Sequence, residues 1–193
     1  MSFIVVYDAC VLHPAPLRDL LLRIAESGLV RARWSDEILD EVFVSVLQRR
    51  PDLDPARLAR TRRAMCEAVE DSVVTDYVGL ADQVQLPDPG DRHVVAAAIR
   101  CGAQAIVTAN LKDFPRAALE PLGIEAVHPD DFVVDLLDLA PGAILRLLLE
   151  QAAALKNPPV TPEALLVTLE RNGLARAVAE LRILFGFNPP TAR

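Results

Sequence analysis

Acidic residues at the ends of predicted strands and the starts of predicted helices are the positions in this sequence that could do chemistry. Asp8 ends the apolar run 3–7, which predicts a buried first strand. A carboxylate at the end of a buried strand costs free energy unless a cation or hydrogen bonds compensate it. In open α/β sheets, functional sites lie outside the carboxyl ends of strands. Asp8 is therefore either a site residue or the cap of the helix that follows.

Asp91 is a second carboxylate that the pattern places near a core. It begins a predicted helix in which Val94, Val95 and Ala98 follow at helical spacing on the same face. The carboxylate is thus expected on the core-facing side, at the positive end of the helix dipole. Asp88, in the preceding turn, is the better cap, which favours Asp91 as a ligand.

In the helix that begins after Ser35, the pattern does not separate the roles of Glu37, Asp40 and Glu41. Glu37 and Glu41 are four residues apart and share a helix face, and Asp40 lies next to them. An ordinary solvated face explains all three. Periodicity alone does not choose among them.

Polar residues also follow the strand predicted at 105–108, which ends in Thr108. Asn110 and Asp113 come shortly after it. Asn can accept from water or a metal through its carbonyl oxygen, but it carries no charge. Thr108 would orient a water or a neighbouring carboxylate, or it is simply a β-branched strand residue.

Carboxylates that converge on one point are the ligands that Mg²⁺ and Mn²⁺ prefer, and two such ions can promote phosphodiester hydrolysis. The three histidines show no H-x-x-x-H spacing, so a zinc site is not expected. Cys10, Cys66 and Cys101 have no metal-ligand spacing either. Cys10 lies close to Asp8 but is expected to be a small buried thiol rather than a nucleophile.

The acids require a fold that brings strand ends together, and the hydrophobic pattern predicts one. Strands are expected at 3–7, 30–34, 73–75, 105–108 and 124–127, alternating with helices at 14–27, 35–50, 54–70 and 91–101. Such alternation is typical of an α/β fold with a parallel sheet flanked by helices. From residue 131 onward only helices are predicted.

The order of these motifs resembles the PIN-domain ribonucleases, and most of all the VapC toxins of toxin–antitoxin pairs. The resemblance covers roughly residues 3–135. It implies a PIN-like fold of three layers around a central parallel sheet, in a catalytic domain at 1–138. The remaining residues, 139–193, would form an all-helical C-terminal extension. The helices of that extension either pack against the catalytic domain or present a surface for an antitoxin or a second subunit.

The resemblance also implies roles for individual residues. The catalytic acids would be Asp8, Glu41, Asp91 and Asp113. Glu41 is selected because the second acid of the family lies about two helical turns after the serine that starts the helix. The metal ligands would be Asp8, Asp91, Asn110 and Asp113, with Thr108 in a supporting role. The family usually has Asp where Asn110 stands, so either one metal binds weakly or Asp113 supplies the carboxylate.

The function implied is a metal-dependent endoribonuclease that hydrolyses RNA, is neutralised by a cognate antitoxin and forms a homodimer. A catalytically weak PIN-like binding or regulatory module is the alternative, because Asn110 departs from the family pattern. A phospho-acceptor receiver would need an acid pair after the first strand and a late Lys, and neither is evident. No Gly-x4-Gly-Lys-Ser/Thr loop for nucleoside triphosphates is present.

Composition limits the partners and the location. The net charge of −7 argues against a protein that grips nucleic acid by bulk charge alone. The exception is a set of arginines, Arg57, Arg60 and Arg63, on one side of the helix predicted at 54–70. That set could meet RNA phosphates or an acidic antitoxin segment, or it is a solvated face. No apolar run approaches the roughly 20 residues that span a bilayer, and no signal peptide is evident, so a cytoplasmic protein is expected.

Overall fold

A parallel five-stranded sheet lies at the centre of the computed structural model, which describes residues 3–82 and 84–186. The strands are β1 (Ile4–Tyr7), β2 (Arg31–Ser35), β3 (Val73–Val74), β4 (Ala105–Val107) and β5 (Glu125–Val127). They lie in the order β3-β2-β1-β4-β5, and every neighbouring pair is parallel. The predicted α/β fold with a central parallel sheet is confirmed, and each strand lies within one residue of its predicted bounds.

Helices flank the sheet and continue beyond it. They are α1 (Ala9–Leu12), α2 (Ala15–Glu26), α3 (Asp36–Arg49), α4 (Pro55–Ala68), α5 (Val78–Ala81), α6 (Arg92–Cys101), α7 (Arg116–Leu119), α8 (Pro129–Leu139), α9 (Pro141–Ala154), α10 (Pro162–Arg171) and α11 (Ala175–Phe185). The one-turn helices α1, α5 and α7 were not predicted, because four residues are too few to show a helical period.

Local sequence signals explain where the longer helices begin and end. The Ser35 side chain accepts a hydrogen bond from the Ile38 N–H at the start of α3, and Asp54 does the same for Ala56 at the start of α4. Gly102 ends α6 in a left-handed conformation that glycine adopts without a Cβ clash. The helix predicted at 91–101 starts one residue later than expected, since Asp91 ends a 3₁₀ turn.

The order of the strands creates the crevice in which a site can form. From β1 the chain passes to β2 and β3 on one side, and then returns to β4 on the other side of β1. The register pairs Tyr7 of β1 with Val107 of β4. Asp8 and Thr108 directly follow these two residues, so they lie side by side at the reversal point. In open parallel sheets this is where ligands bind.

The C-terminal helices share the core of the sheet domain. Leu148 of α9, Leu166 of α10 and Val178 of α11 are completely buried in the same apolar cluster as the strand residues. Gln151 donates a hydrogen bond from Nε2 to the backbone oxygen of Pro16, at 2.8 Å. The Asp130 carboxylate accepts from two backbone N–H groups at the start of α11. These helices therefore pack against the rest of the chain, although a domain boundary at 138/139 stays a prediction.

Within the described ranges, no helix has both the length and the apolar character needed to cross a membrane.

Candidate active site

Asp8 is buried at the carboxyl end of β1, with three hydrogen-bond donors around its carboxylate. Oδ1 accepts from the Ala9 N–H at 2.6 Å, so Asp8 does cap α1. Oδ2 accepts from the Thr108 hydroxyl at 2.7 Å and from the Cys10 thiol at 3.0 Å. A carboxylate offers about four lone-pair directions, so one of them, on Oδ1, is left for a further partner. Asp8 can therefore cap α1 and bind a further ligand at the same time.

Thr108 connects the two strands that meet at the reversal point. It is fully buried at the end of β4, and its hydroxyl also accepts from the Asn110 N–H at 3.0 Å. The hydroxyl proton is therefore directed at Asp8. The supporting role of Thr108 stays a prediction, and the hydrogen bond to Asp8 is the contact that such a role requires.

Cys10 is not the buried residue that was predicted. It is exposed, because α1 places it at the rim of the crevice rather than in the core. Its sulfur nevertheless lies beside Asp8, and it accepts from the Ala109 N–H at 3.2 Å. Desolvation of the sulfur and the negative charge of Asp8 raise the pKa of this thiol to about 12. The thiol therefore stays protonated at neutral pH and donates to Asp8, which argues against a thiolate nucleophile.

Asp91 lies opposite Asp8, and its carboxyl does not cap the helix that it precedes. Asp88 caps the 3₁₀ turn instead, by accepting from the Gly90 N–H at 2.8 Å. Partial burial raises the pKa of Asp91 to about 6, with further contributions from the charges of Asp8, Asp88, Asp113 and Glu41. Four carboxylates are therefore close enough to Asp91 to repel its negative charge. A cation among them would relieve this repulsion.

The four acids on α3, Asp36, Glu37, Asp40 and Glu41, take different partners in the folded chain. Asp40 pairs with Arg62, which also bonds Asp36. Glu37 accepts from the Tyr77 hydroxyl at 3.2 Å. Glu41 is hydrogen-bonded to Nε2 of the buried His93 at 2.9 Å, and its charge reaches Asp91.

His93 is a residue of the site that sequence reasoning missed. Burial lowers its pKa, but the hydrogen bond and charge of Glu41, together with Glu37 and Asp8, more than offset this and leave the pKa raised. His93 follows Asp91 by two residues, so it holds Glu41 next to the other acids. The only sequence signal for a role of His93 was its position two residues after Asp91, a candidate ligand. Its contact with the acidic helix α3 is visible only in the folded chain.

Asn110 and Asp113 form one unit at the end of β4, because the Asn110 side-chain amide donates to the Asp113 carboxylate. A 3₁₀ turn, Leu111–Asp113, turns the chain back so that Asp113 reaches the site. The structure thus does not choose between the two residues as the fourth ligand.

The donor set fits a divalent cation by its chemistry. Asp8, Asp91, Asp113 and Asn110 offer hard oxygen atoms, whereas the nearest imidazole is engaged with Glu41. Within the part of the chain that is described, no three His, Cys, Asp or Glu side chains already surround a single point. Mg²⁺ keeps several waters and commonly takes only one or two carboxylates directly, so this arrangement suits Mg²⁺ better than a caged metal.

The predicted basic surface lies on α4. Arg57 and Arg60 are exposed and Arg63 is at the surface with them on the same helix, whereas Arg62 points back to α3. A cavity of about 590 Å³ lies against the β4–β5 segment. It is lined by Leu111, Phe114 and Ile124 among others, and none of the predicted catalytic residues borders it.

Comparison with known proteins matches two parts of the chain. A family model described as PIN domain matches residues 4–112, and one described as VapC50 C-terminal domain matches residues 129–183. A curated protein of Mycobacterium tuberculosis (strain ATCC 25618 / H37Rv), named "Putative ribonuclease VapC50", is 46% identical over 100 residues. That match covers 52% of this chain and 59% of the relative, so it spans less than two thirds of the relative's length. No solved structure matches.

The PIN model covers more than half of the chain and includes Asp8, Glu41, Asp91 and Asn110, whereas Asp113 lies just beyond its last matched residue. The strands β1 and β4 that meet at the reversal point, and the acids Asp8, Glu41 and Asp91, thus lie in the matched region. The chain therefore belongs to the PIN-domain family.

Proposed function

We propose that this protein is a metal-dependent endoribonuclease that hydrolyses RNA phosphodiester bonds, and that it is the toxin of a toxin–antitoxin pair. One observation carries the proposal: the charges of Asp8, Asp113 and Glu41 converge on Asp91 at the reversal point of a parallel sheet. The ribonuclease name of the relative supports it. The alternative, a catalytically weak PIN-like binding or regulatory module, is not favoured, because the acids at positions 8, 41 and 91 are all present.

Asp8 and Asp91 are the side chains that would hold Mg²⁺ or Mn²⁺, together with Asn110 or Asp113. The bound cation would supply charge neutralisation for the phosphate and lower the pKa of water. The protein's own part is positional. Thr108 and Cys10 fix the orientation of Asp8, and His93 holds Glu41 beside the site as a hydrogen-bond acceptor.

The test is cleavage of a total RNA pool by purified protein with Mg²⁺ or Mn²⁺, and with EDTA. Asp8→Ala and Asp91→Ala should each lose at least about a hundredfold in rate, because each removes an oxygen ligand. Glu67→Gln, on the exposed side of α4, is the matched control and should cleave normally. An Asp8→Ala protein that cuts RNA near the wild-type rate would contradict the assignment.

The fourth ligand needs its own experiment. Asn110→Asp should tighten Mn²⁺ binding, since it places a second carboxylate next to Asp113 and removes the amide that now donates to it. Asp113→Ala should weaken Mn²⁺ binding. If calorimetric titrations show the same Mn²⁺ affinity in both variants as in the wild type, neither Asn110 nor Asp113 is a metal ligand.

The partners form a further part of the proposal. The VapC likeness supports a cognate antitoxin and a homodimer as partners, and a cytoplasmic location is proposed with them. In this proposal, Arg57, Arg60 and Arg63 contact the phosphates of the RNA. Changing all three arginines to Gln should make the slope of log K for RNA binding against log salt concentration less steep. The slope should fall by nearly one unit for each phosphate that the protein no longer neutralises. An unchanged salt slope would reassign this face to the antitoxin or to solvent.

A further inference from the structure

A second cavity lies next to the acids, between α3, α5 and α6, with a volume of about 320 Å³. This is within the range of roughly 300–1,000 Å³ that small-molecule sites occupy. One side is apolar and is formed by Tyr77, Val78 and Ala81. The other side is polar and includes Glu37, Asp82, Arg92 and His93.

Polar atoms at this cavity lack partners within the described ranges. Nε of Arg92 is buried and has no hydrogen-bond partner there, and the same is true of Nδ1 of His93. Nδ1 is 3.7 Å from Glu37 Oε2, which is too far for a hydrogen bond. Buried polar atoms are nearly always paired, so the polar side of this cavity has hydrogen-bonding capacity that the described protein atoms do not use.

The cavity is connected to the catalytic acids by chain neighbours and by one shared side chain. Arg92 directly follows Asp91, and His93 contacts Glu41 through its other ring nitrogen. A ligand in the cavity would therefore lie beside the phosphate on which the acids act.

We propose that this cavity binds a guanine base of the RNA substrate, an inference that rests on the ribonuclease function proposed above. The Glu37 carboxylate is the reading group: one oxygen accepts from the Tyr77 hydroxyl, and both can accept from a ligand. Guanine is the base with two adjacent N–H donors, N1–H and N2–H, on its pairing edge. Arg92 would donate to the O6 and N7 acceptors of the same base.

The other bases fit this arrangement poorly. Adenine and cytosine place an unprotonated ring nitrogen beside their amino group, and that lone pair would face the carboxylate. Uracil has one N–H between two carbonyl oxygens, which the carboxylate would also repel. The apolar wall formed by Tyr77, Val78 and Ala81 contacts the face of any base, so it adds affinity without discrimination.

Nucleosides test the cavity without phosphate, metal or catalysis. Binding of guanosine, inosine and adenosine to the full chain in EDTA is measured by calorimetry. Inosine lacks only the N2 amino group, so it should bind about tenfold or more weakly than guanosine. Adenosine should be weaker still. Equal binding of guanosine and inosine would overturn the proposal.

Protein variants separate the reading group from the wall. Glu37→Gln should remove the preference for guanosine over inosine, because an amide offers only one acceptor oxygen. Tyr77→Phe removes the hydroxyl contact with Glu37 but keeps the wall, so the preference should persist. Glu67→Gln, an exposed acid outside the cavity, should change nothing. A Glu37→Gln protein that still prefers guanosine would also overturn the proposal.

Mapping of RNA cleavage products distinguishes this inference from the function on which it rests. Cuts at a fixed distance from a guanosine are expected, and Glu37→Gln should broaden them. Cleavage without any guanosine preference would refute the base pocket and leave the nuclease intact. Guanosine binding in a protein that cleaves no RNA would refute the nuclease and leave a nucleoside site.

Discussion

Replacing Asp91 by Asn should stabilise the metal-free protein while abolishing its activity. The pKa of Asp91 is raised from 3.8 to about 6 in the folded chain, by partial burial and by the surrounding carboxylates. The folded state therefore binds the proton more tightly than the unfolded state does. The stability of the wild type falls as pH rises through the window from about 4 to about 6, and the full penalty is present above it. Asn has a similar shape but carries no charge, so it avoids the penalty.

The size of the gain follows from the shift in pKa. At about 1.4 kcal/mol for each tenfold change in the acid constant, the full shift corresponds to at most about 3 kcal/mol. Asp91 is only partly buried, so solvent screens the repulsion. The expected gain at pH 7.5 is therefore about 1 kcal/mol, and it should fall to roughly half at pH 5 because folded Asp91 is then mostly protonated.

The assay is urea unfolding in EDTA, followed by the fluorescence of Trp34, the single tryptophan, which is fully buried in β2. Glu67→Gln is the control for simple loss of negative charge and should shift the midpoint little. Added Mg²⁺ should stabilise the wild type more than Asp91→Asn, since only the wild type keeps the ligand. An Asp91→Asn protein that is no more stable than the wild type at pH 7.5 would refute the reasoning.

Three further predictions concern single side chains. Thr108→Val should lower the free energy of unfolding by about 2 kcal/mol, because the Asp8 carboxylate loses a charge-assisted donor; Thr108→Ser keeps the donor and should lose only about 1 kcal/mol for the buried methyl group. The reverse order in urea unfolding would show that the hydroxyl is unimportant. Leu166→Ala should cost about 2–5 kcal/mol because the side chain is completely buried, whereas the exposed Ile183→Ala should cost almost nothing; equal effects would argue against a shared core. Iodoacetamide at pH 8 should label Cys10 far more slowly than a small free thiol, because desolvation of its sulfur and the charge of Asp8 raise its pKa to about 12. Rapid labelling of Cys10, measured by peptide mapping with mass spectrometry, would contradict this protonated state.

Short-range signals were sufficient for most of the elements. Hydrophobic runs predicted all five strands, and the helices predicted after Ser35 and from residue 54 begin at the caps Ser35 and Asp54 in the structure. The one-turn helices escaped prediction, and so did the exposure of Cys10. A thiol two residues past a buried strand has the local pattern of a core residue, and only the turn of α1 places it at the rim.

The candidate site shows the same limit at the level of side chains. The pattern placed Asp8 at a strand end and Asp91 at a helix start, because these positions depend on neighbours in sequence. It could not separate Glu37, Asp40 and Glu41, since consecutive turns of one helix look alike in sequence.

The sequence by itself determined the α/β alternation, the strand ends and the residue types that could hold a cation. Only the tertiary structure decided which partner each acid on α3 takes: Asp40 pairs with Arg62, Glu37 accepts from Tyr77, and Glu41 is hydrogen-bonded to His93. It also joined the C-terminal helices to the core of the sheet. The reason is physical: secondary structure follows from interactions within a few residues, whereas a site is built from contacts between segments that only the packed core brings together.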